Sequence, residues 1–187
     1  EVEIVAHDIH NNRSTKKYKV IVEEKSSNPT EYGNENEAKP YYVNGILLVN
    51  KKHALPRTFG GYNEEANQAL AKLQTAASLE GYDLPTLSAY RSYDYQAGLY
   101  NDYVARDGKE AADRYSAQPG KSEHQTGLAF DIGQLDDSFG ETPAGKWLAQ
   151  HAHEYGFIIR YPKGKEHITG YMYEPWHVRY LGIDTAT

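Results

Sequence analysis

The chain has 187 residues, enough for one domain with a substantial core, with or without a small appendage, and too few for two independent cores. Its formal charge of −6, from 26 acidic against 20 basic residues, disfavours nucleic acid and anionic lipid as partners. Cysteine is absent, which excludes disulfides, thiolate–zinc ligation and thiol catalysis and leaves histidine, aspartate and glutamate as the strong metal ligands.

The hydrophobic fraction is 39%, under the usual roughly 45–50%, but 17 tyrosines add amphipathic bulk that a folded globular protein can bury. A cysteine-free composition fits an exported enzyme. No apolar run approaches the ~18–20 residues of a membrane span, and no charged-then-apolar leader opens the chain, as expected if a leader or anchor has been removed.

In chain order, Val2–Ala6 and Tyr18–Glu23 alternate like short strands, and Ser26–Lys39 is polar and rich in Asn and Glu. Residues 1–40 therefore read as a strand pair and a linker, and 41–187 as the main domain. Gly45–Val49 is a short apolar run suited to a buried strand. Asn63 caps a helix in which Ala66, Ala69, Leu70, Leu73, Ala76 and Ala77 recur at helical spacing, ended by Gly81. A second helix is predicted over Asp94–Arg106, with Asp94 as its cap and with Leu99, Tyr100, Tyr103 and Val104 buried; a third follows near Lys109–Tyr115. Pro119-Gly120 breaks the chain, and Thr142-Pro143 opens a further helix through Trp147 and Leu148 that Gly156 closes. Strands are predicted at Thr86–Tyr90, Leu128–Ile132, Phe157–Arg160 and Trp176–Leu181. Several are joined by segments too short for a crossover helix, so the fold class is α+β: an antiparallel sheet with helices packed to one side.

Two segments carry chemistry. In Ser122-Glu123-His124-Gln125-Thr126-Gly127-Leu128-Ala129-Phe130-Asp131, an aspartate interrupts an otherwise apolar strand. Leu128, Phe130 and Ile132 share one face and Asp131 the other, where a buried carboxylate costs several kcal/mol, by order of magnitude, unless it is paired or bound to metal. Tyr173-Glu174-Pro175-Trp176-His177 adds a second carboxylate and a second histidine. Three protein ligands and a spare glutamate are what a catalytic zinc requires: the fourth position holds water, and the glutamate accepts its proton. Spacing alone leaves a buried hydrogen-bonded cluster equally open. The other six histidines, His7, His10, His53, His151, His153 and His167, read as structural or surface residues.

Together the segments, Ser-x-His-x-x-Gly-x-Ala-x-Asp followed by Glu-x-Trp-His, resemble the zinc D-alanyl carboxypeptidases of the VanY type, metallopeptidases that include bacterial L,D-carboxypeptidases. Leu48–His53, Ser88-Ala89-Tyr90-Arg91-Ser92 and Thr169-Gly170-Tyr171 support the match, which covers roughly residues 41–183. The resemblance implies one zinc ion per chain, held in a cleft on the sheet by His124, Asp131 and His177, with Glu174 as general base. It makes Arg91 the electrophile that meets the oxyanion or the substrate. Ser122 and Gln125 are expected to bind the substrate's terminal carboxylate, with Tyr93 and Tyr171 as aromatic walls and Trp176 packed beneath His177. The implied protein is an exported monomer of the cell wall or extracellular face that removes C-terminal D-alanine from peptidoglycan stem peptides, with the L,D bond of the tetrapeptide favoured over the D,D bond of the pentapeptide. Two rivals remain: a cross-link endopeptidase, and a wall-binding module that keeps zinc structurally.

Overall fold

The computed structural model describes residues 2–7, 13–18 and 38–187 and divides into two units, 1–31 and 32–187. In the first unit β1 (Val2–His7) pairs antiparallel with β2 (Arg13–Tyr18), Val2 opposite Tyr18 and His7 opposite Arg13. This second strand precedes the predicted Tyr18–Glu23. Residues 19–23 and the predicted linker up to residue 37 lie outside the described residues.

In the second unit β3 (Tyr41–Val43) and β4 (Ile46–Leu48) form a hairpin. Its two-residue turn, Asn44-Gly45, has φ of 50° and 81°, the doubly positive geometry that matches the strands' twist. The predicted apolar run is thus half of a ribbon: Leu47 and the following Val49 turn inward with Leu55, while Ile46 and Leu48 stay half-exposed.

Helix α1 (Glu64–Leu79) starts where Asn63 Oδ1 accepts the Ala66 amide at 2.9 Å. It stops where the Gly81 and Tyr82 amides turn back onto Ser78 O and Ala77 O, with Gly81 at φ 84°. Strand β5 (Thr86–Ser88) leads to α2 (Tyr93–Asp107), capped by Ser92 Oγ on the Tyr95 amide at 3.2 Å. The predicted cap, Asp94, is instead paired with Arg57 at 2.6 Å. Only Tyr100 of the four residues expected inside α2 is buried, together with Gln96 and Tyr93. Leu99, Tyr103 and Val104 are half-buried, the first two because they border a cleft. Helix α3 (Lys109–Tyr115) falls where predicted. After β6 (Ala129–Ile132), α4 (Pro143–His151) opens with Thr142 Oγ1 accepting the Gly145 amide and Pro143 in its first turn, and Gly156 ends the turn that follows.

Strands β6, β7 (Phe157–Tyr161) and β8 (Glu174–Tyr180) join β5 in one antiparallel sheet ordered β5-β6-β8-β7. One face carries Phe130, Ile132, Phe157 and Val178 into a core with Leu70, Leu73 and Ala77 of α1 and Trp147 and Leu148 of α4. Each such side chain contributes ~1.5–3 kcal/mol when fully buried. The predicted α+β architecture with core helices on one side is the one observed. The opposite face is left for the chemistry.

Gly127 fixes how the chain enters β6. It has φ of 71°, and a Cβ there would lie 2.0 Å from Gly61 O. Gly127→Ala should therefore lower stability by about 2–4 kcal/mol, combining left-handed strain with backbone overlap. Urea unfolding of the variant checks this; a loss below about 0.5 kcal/mol would mean that the 60–61 loop yields freely.

Candidate active site

Three neighbouring strands deliver one row of polar side chains. Asp131 on β6 sits opposite Ser88 on β5 and opposite His177 on β8. Phe130 and Ile132 alternate into the core on the other face, so the row is fixed by the same pleat that packs the protein. His124 comes from the single 3₁₀ turn Glu123–Thr126, which Ser122 caps and Gly127 ends.

His124, Asp131 and His177 are all buried and offer three ligand atoms within 4.8 Å of one another. His124 Nε2 lies 3.1 Å from Asp131 Oδ2, and His177 Nδ1 lies 3.1 Å from Asp131 Oδ1. His124 Nδ1 is 2.8 Å from Ala89 O. A carbonyl can only accept, so Nδ1 carries the hydrogen and Nε2 turns its lone pair toward Asp131. Burial lowers the His124 pKa, which keeps that ring neutral, and Asp131 Oδ1 has no hydrogen-bond partner. A lone pair facing a carboxylate across 3.1 Å, beside an orphaned carboxylate oxygen, is an acceptor-only site that calls for a cation. Two imidazoles and one carboxylate fit zinc and leave an open coordination position.

The electrostatics of the site agree. Burial alone would raise Asp131, but His124 and His177 hold its carboxyl far below the ordinary range. Burial opposes protonation of His177 too, yet contacts with Asp131 and Glu123 raise it to about 10. The negative charge of Asp131 and Glu123 thus favours a cation at this point, which a proton or a metal can supply.

Glu174 Oε2 lies 3.6 Å from His177 Nδ1, with its side chain 12% exposed. Burial is the main reason its pKa rises to about 7; His177 draws it down and Asp131 pushes it up. Arg91 faces the same space: Nη1 donates to Gln96 Oε1 at 2.8 Å, Nη2 donates to Ser88 Oγ at 2.9 Å, and Nη2 stands 3.8 Å from Asp131 Oδ2. These groups line a cleft of about 410 Å³ whose walls include Leu99, Tyr103, Ser122, Tyr161, Tyr171, Met172 and Trp176. The Tyr171 hydroxyl is buried without a partner, and Lys51 Nζ sits 4.7 Å over its ring. Trp176 borders the cleft as well as the core, so it walls the cleft and does not only pack beneath it.

The structure brings together His124, Asp131, His177, Glu174, Arg91, Ser122 and Tyr171. It separates Gln125 and Tyr93 from them. The buried Gln125 carboxamide donates to Pro56 O and Phe59 O, anchoring the preceding loop, and does not border the cleft. Tyr93 is buried against Gly120 with Arg57 over its ring. Neither side chain is placed to bind a substrate carboxylate or to wall the cleft. Sequence reading missed Glu123, a fully buried carboxylate held by Arg160 and Arg179. The available signal was Arg179, two residues beyond His177 and so on the same face of β8.

A family model described as VanY, D-alanyl-D-alanine carboxypeptidase, matches residues 61–183. The chain is 43% identical to the putative carboxypeptidase YodJ of Bacillus subtilis over 76% of its own length and 62% of that protein's. It thus spans under two thirds of that relative. Among solved structures it resembles the LD-carboxypeptidase LdcB, whose structure concerns peptidoglycan recognition, with 39% identity and a TM-score of 0.72 over 82% of this chain and 88% of that one. It also resembles a mutant of the vancomycin-resistance D,D-pentapeptidase VanY from a VanB-type cassette, solved with Zn(II), with 33% identity and a TM-score of 0.65 over 74% and 89% of the two chains.

The pKa of Glu174 gives a sign that can be tested. Between pH about 4.5 and about 7 the folded carboxyl holds a proton that the unfolded chain has released, so this group makes stability fall as pH rises through that window. Metal-free protein should lose less stability across the window when Glu174→Gln removes the titration. Urea unfolding at a series of pH values measures this; identical slopes for both proteins would contradict the raised pKa.

Proposed function

This chain belongs to the VanY family of D-alanyl-D-alanine carboxypeptidases, and on that footing we propose that it is a zinc-dependent peptidase that removes C-terminal D-alanine from peptidoglycan stem peptides. The observation that carries this reading is the convergence of three acceptor atoms from His124, Asp131 and His177 beside a buried glutamate. His124 Nε2, an Asp131 oxygen and His177 Nδ1 would hold the metal. Zinc bound there lowers the pKa of water toward ~7 and polarises the scissile carbonyl.

The remaining chemistry belongs to the chain. A carboxyl that exchanges its proton near neutral pH suits Glu174 to take a proton from water and deliver it to the departing amine. Arg91, held by Ser88 and Gln96 and permanently charged, faces negative charge on the substrate, whether the developing oxyanion or the terminal carboxylate. Ser122 Oγ accepts the His124 amide and keeps its own hydrogen for a substrate oxygen. Tyr161, Tyr171 and Trp176 make the apolar wall for the peptide.

Preference for the L,D bond of the tetrapeptide is the finer part of the proposal, supported by 39% identity to LdcB against 33% to the D,D-pentapeptidase. Because the substrate is a wall peptide, the protein acts after export. No helix among the described residues is long and apolar enough to cross a membrane. A burial-raised Glu174 beside the metal site supports an enzyme over a wall-binding module, since a structural zinc needs no base.

Purified protein should release D-alanine faster from the tetrapeptide stem than from the pentapeptide, lose activity to a chelator and regain it with zinc. Glu174→Gln should lower kcat by roughly 10²–10⁴. D-alanine release from neither stem would overturn the carboxypeptidase reading, and cleavage of cross-linked muropeptides in its place would put an endopeptidase there.

A further inference from the structure

Behind His177, on the side away from Asp131, lies a group the proposed mechanism does not use. The Glu123 side chain is 1% exposed, and its Oε1 accepts from Arg160 Nε at 2.7 Å and from Arg179 Nη1 at 3.1 Å. Both arginines fall on one oxygen. The other, Oε2, has no hydrogen-bond partner and lies 3.4 Å from His177 Nε2, which is also unpartnered. The clamp is itself anchored: Arg179 Nη2 donates to Leu47 O at 2.9 Å and its Nε to Tyr180 O at 3.2 Å.

Placing two cations, the buried Arg179 and the half-buried Arg160, on one oxygen fixes the carboxylate plane and aims the free oxygen at the imidazole. An anionic acceptor at that distance keeps a hydrogen on Nε2, so that a metal arriving beside Asp131 finds the lone pair on Nδ1, the atom 3.1 Å from Asp131 Oδ1. We propose that Glu123, clamped by Arg160 and Arg179, is a positioning residue that holds His177 in the tautomer whose Nδ1 can take a metal. The inference rests on reading His124, Asp131 and His177 as a metal centre and adds the device that orients one of its ligands.

Glu123→Gln keeps the shape and removes the charge. The glutamine oxygen goes to the two arginines, so its NH₂ meets His177 Nε2 and drives the ring hydrogen to Nδ1, into the metal's position. Zinc affinity of the full chain, measured by competition with a chromophoric chelator, should fall about 10–100-fold. The melting temperature of the metal-free protein serves as the control for a purely structural role. In zinc-loaded wild type, long-range ¹H–¹⁵N NMR should find the His177 hydrogen on Nε2, a readout that stands even if the variant does not fold. A hydrogen on Nδ1 there, or a folded variant with zinc affinity within about twofold of wild type, would overturn the role of Glu123 and leave the metal centre intact. Wild type that binds no zinc would overturn the metal centre, and this role with it.

Discussion

A carboxylate removed from water needs compensation inside the protein, and Asp131 meets an imidazole at 3.1 Å from each of its oxygens. The rest of the second unit is organised around that placement. Asp131 belongs to a four-residue strand with no exposed position, in which Phe130 and Ile132 fill the core under α1 and α4. A slip of one residue would carry the charge into the apolar layer and the two large side chains into the cleft. The core therefore holds the site in register, and the row Ser88, Asp131, His177 follows directly from antiparallel pairing on both sides of β6.

Opposite charges adjoin along one chain of contacts. Arg91 and Glu174 flank Asp131 and the two histidines, Glu123 follows beyond His177, and Arg160 and Arg179 close it. Each buried charge has an opposite neighbour, the condition under which desolvation is offset rather than accumulated. Arg179 also reaches Leu47 O, which ties the β3–β4 hairpin to the back of the site. A hairpin that contributes nothing to the cleft lining thereby helps to hold the groups behind it.

Much of this was legible in the sequence, for physical reasons that differ by element. Helices α1 and α4 announced themselves through periodicity and start signals, and Asn63, Gly81 and Thr142 act as read, whereas α4 stops at His151 and Gly156 closes the 3₁₀ turn after it. Asp131 was visible because a charge inside an apolar strand has few explanations. Gln125 misled because it adjoins His124, but a 3₁₀ turn separates successive side chains by about 120°, so the two point different ways. Leu99 and Tyr103 were read as core because an apolar helix face looks the same whether it meets a core or a cleft. Glu123 occupied a spacer position in the motif, and only the fold brings arginines from β7 and β8 onto it. The Asn44-Gly45 turn signal was present, but Tyr41–Val43, exposed along its length, has no buried face for alternation to reveal.

The aromatic wall and the pKa of Glu174 are two consequences of one cause. Tyr161 packs 4.8 Å from the His177 ring and 5.0 Å from Tyr171, which screens this end of the cleft from water. The same screening raises Glu174 to about 7, against the pull of His177 and Arg91, and strengthens every charge interaction in the cleft. Opening the wall to admit water would let Glu174 ionise as an ordinary carboxylate and weaken its hold on a proton together. A carboxyl able both to take and to return a proton near neutral pH is thus produced by the apolar residues around it.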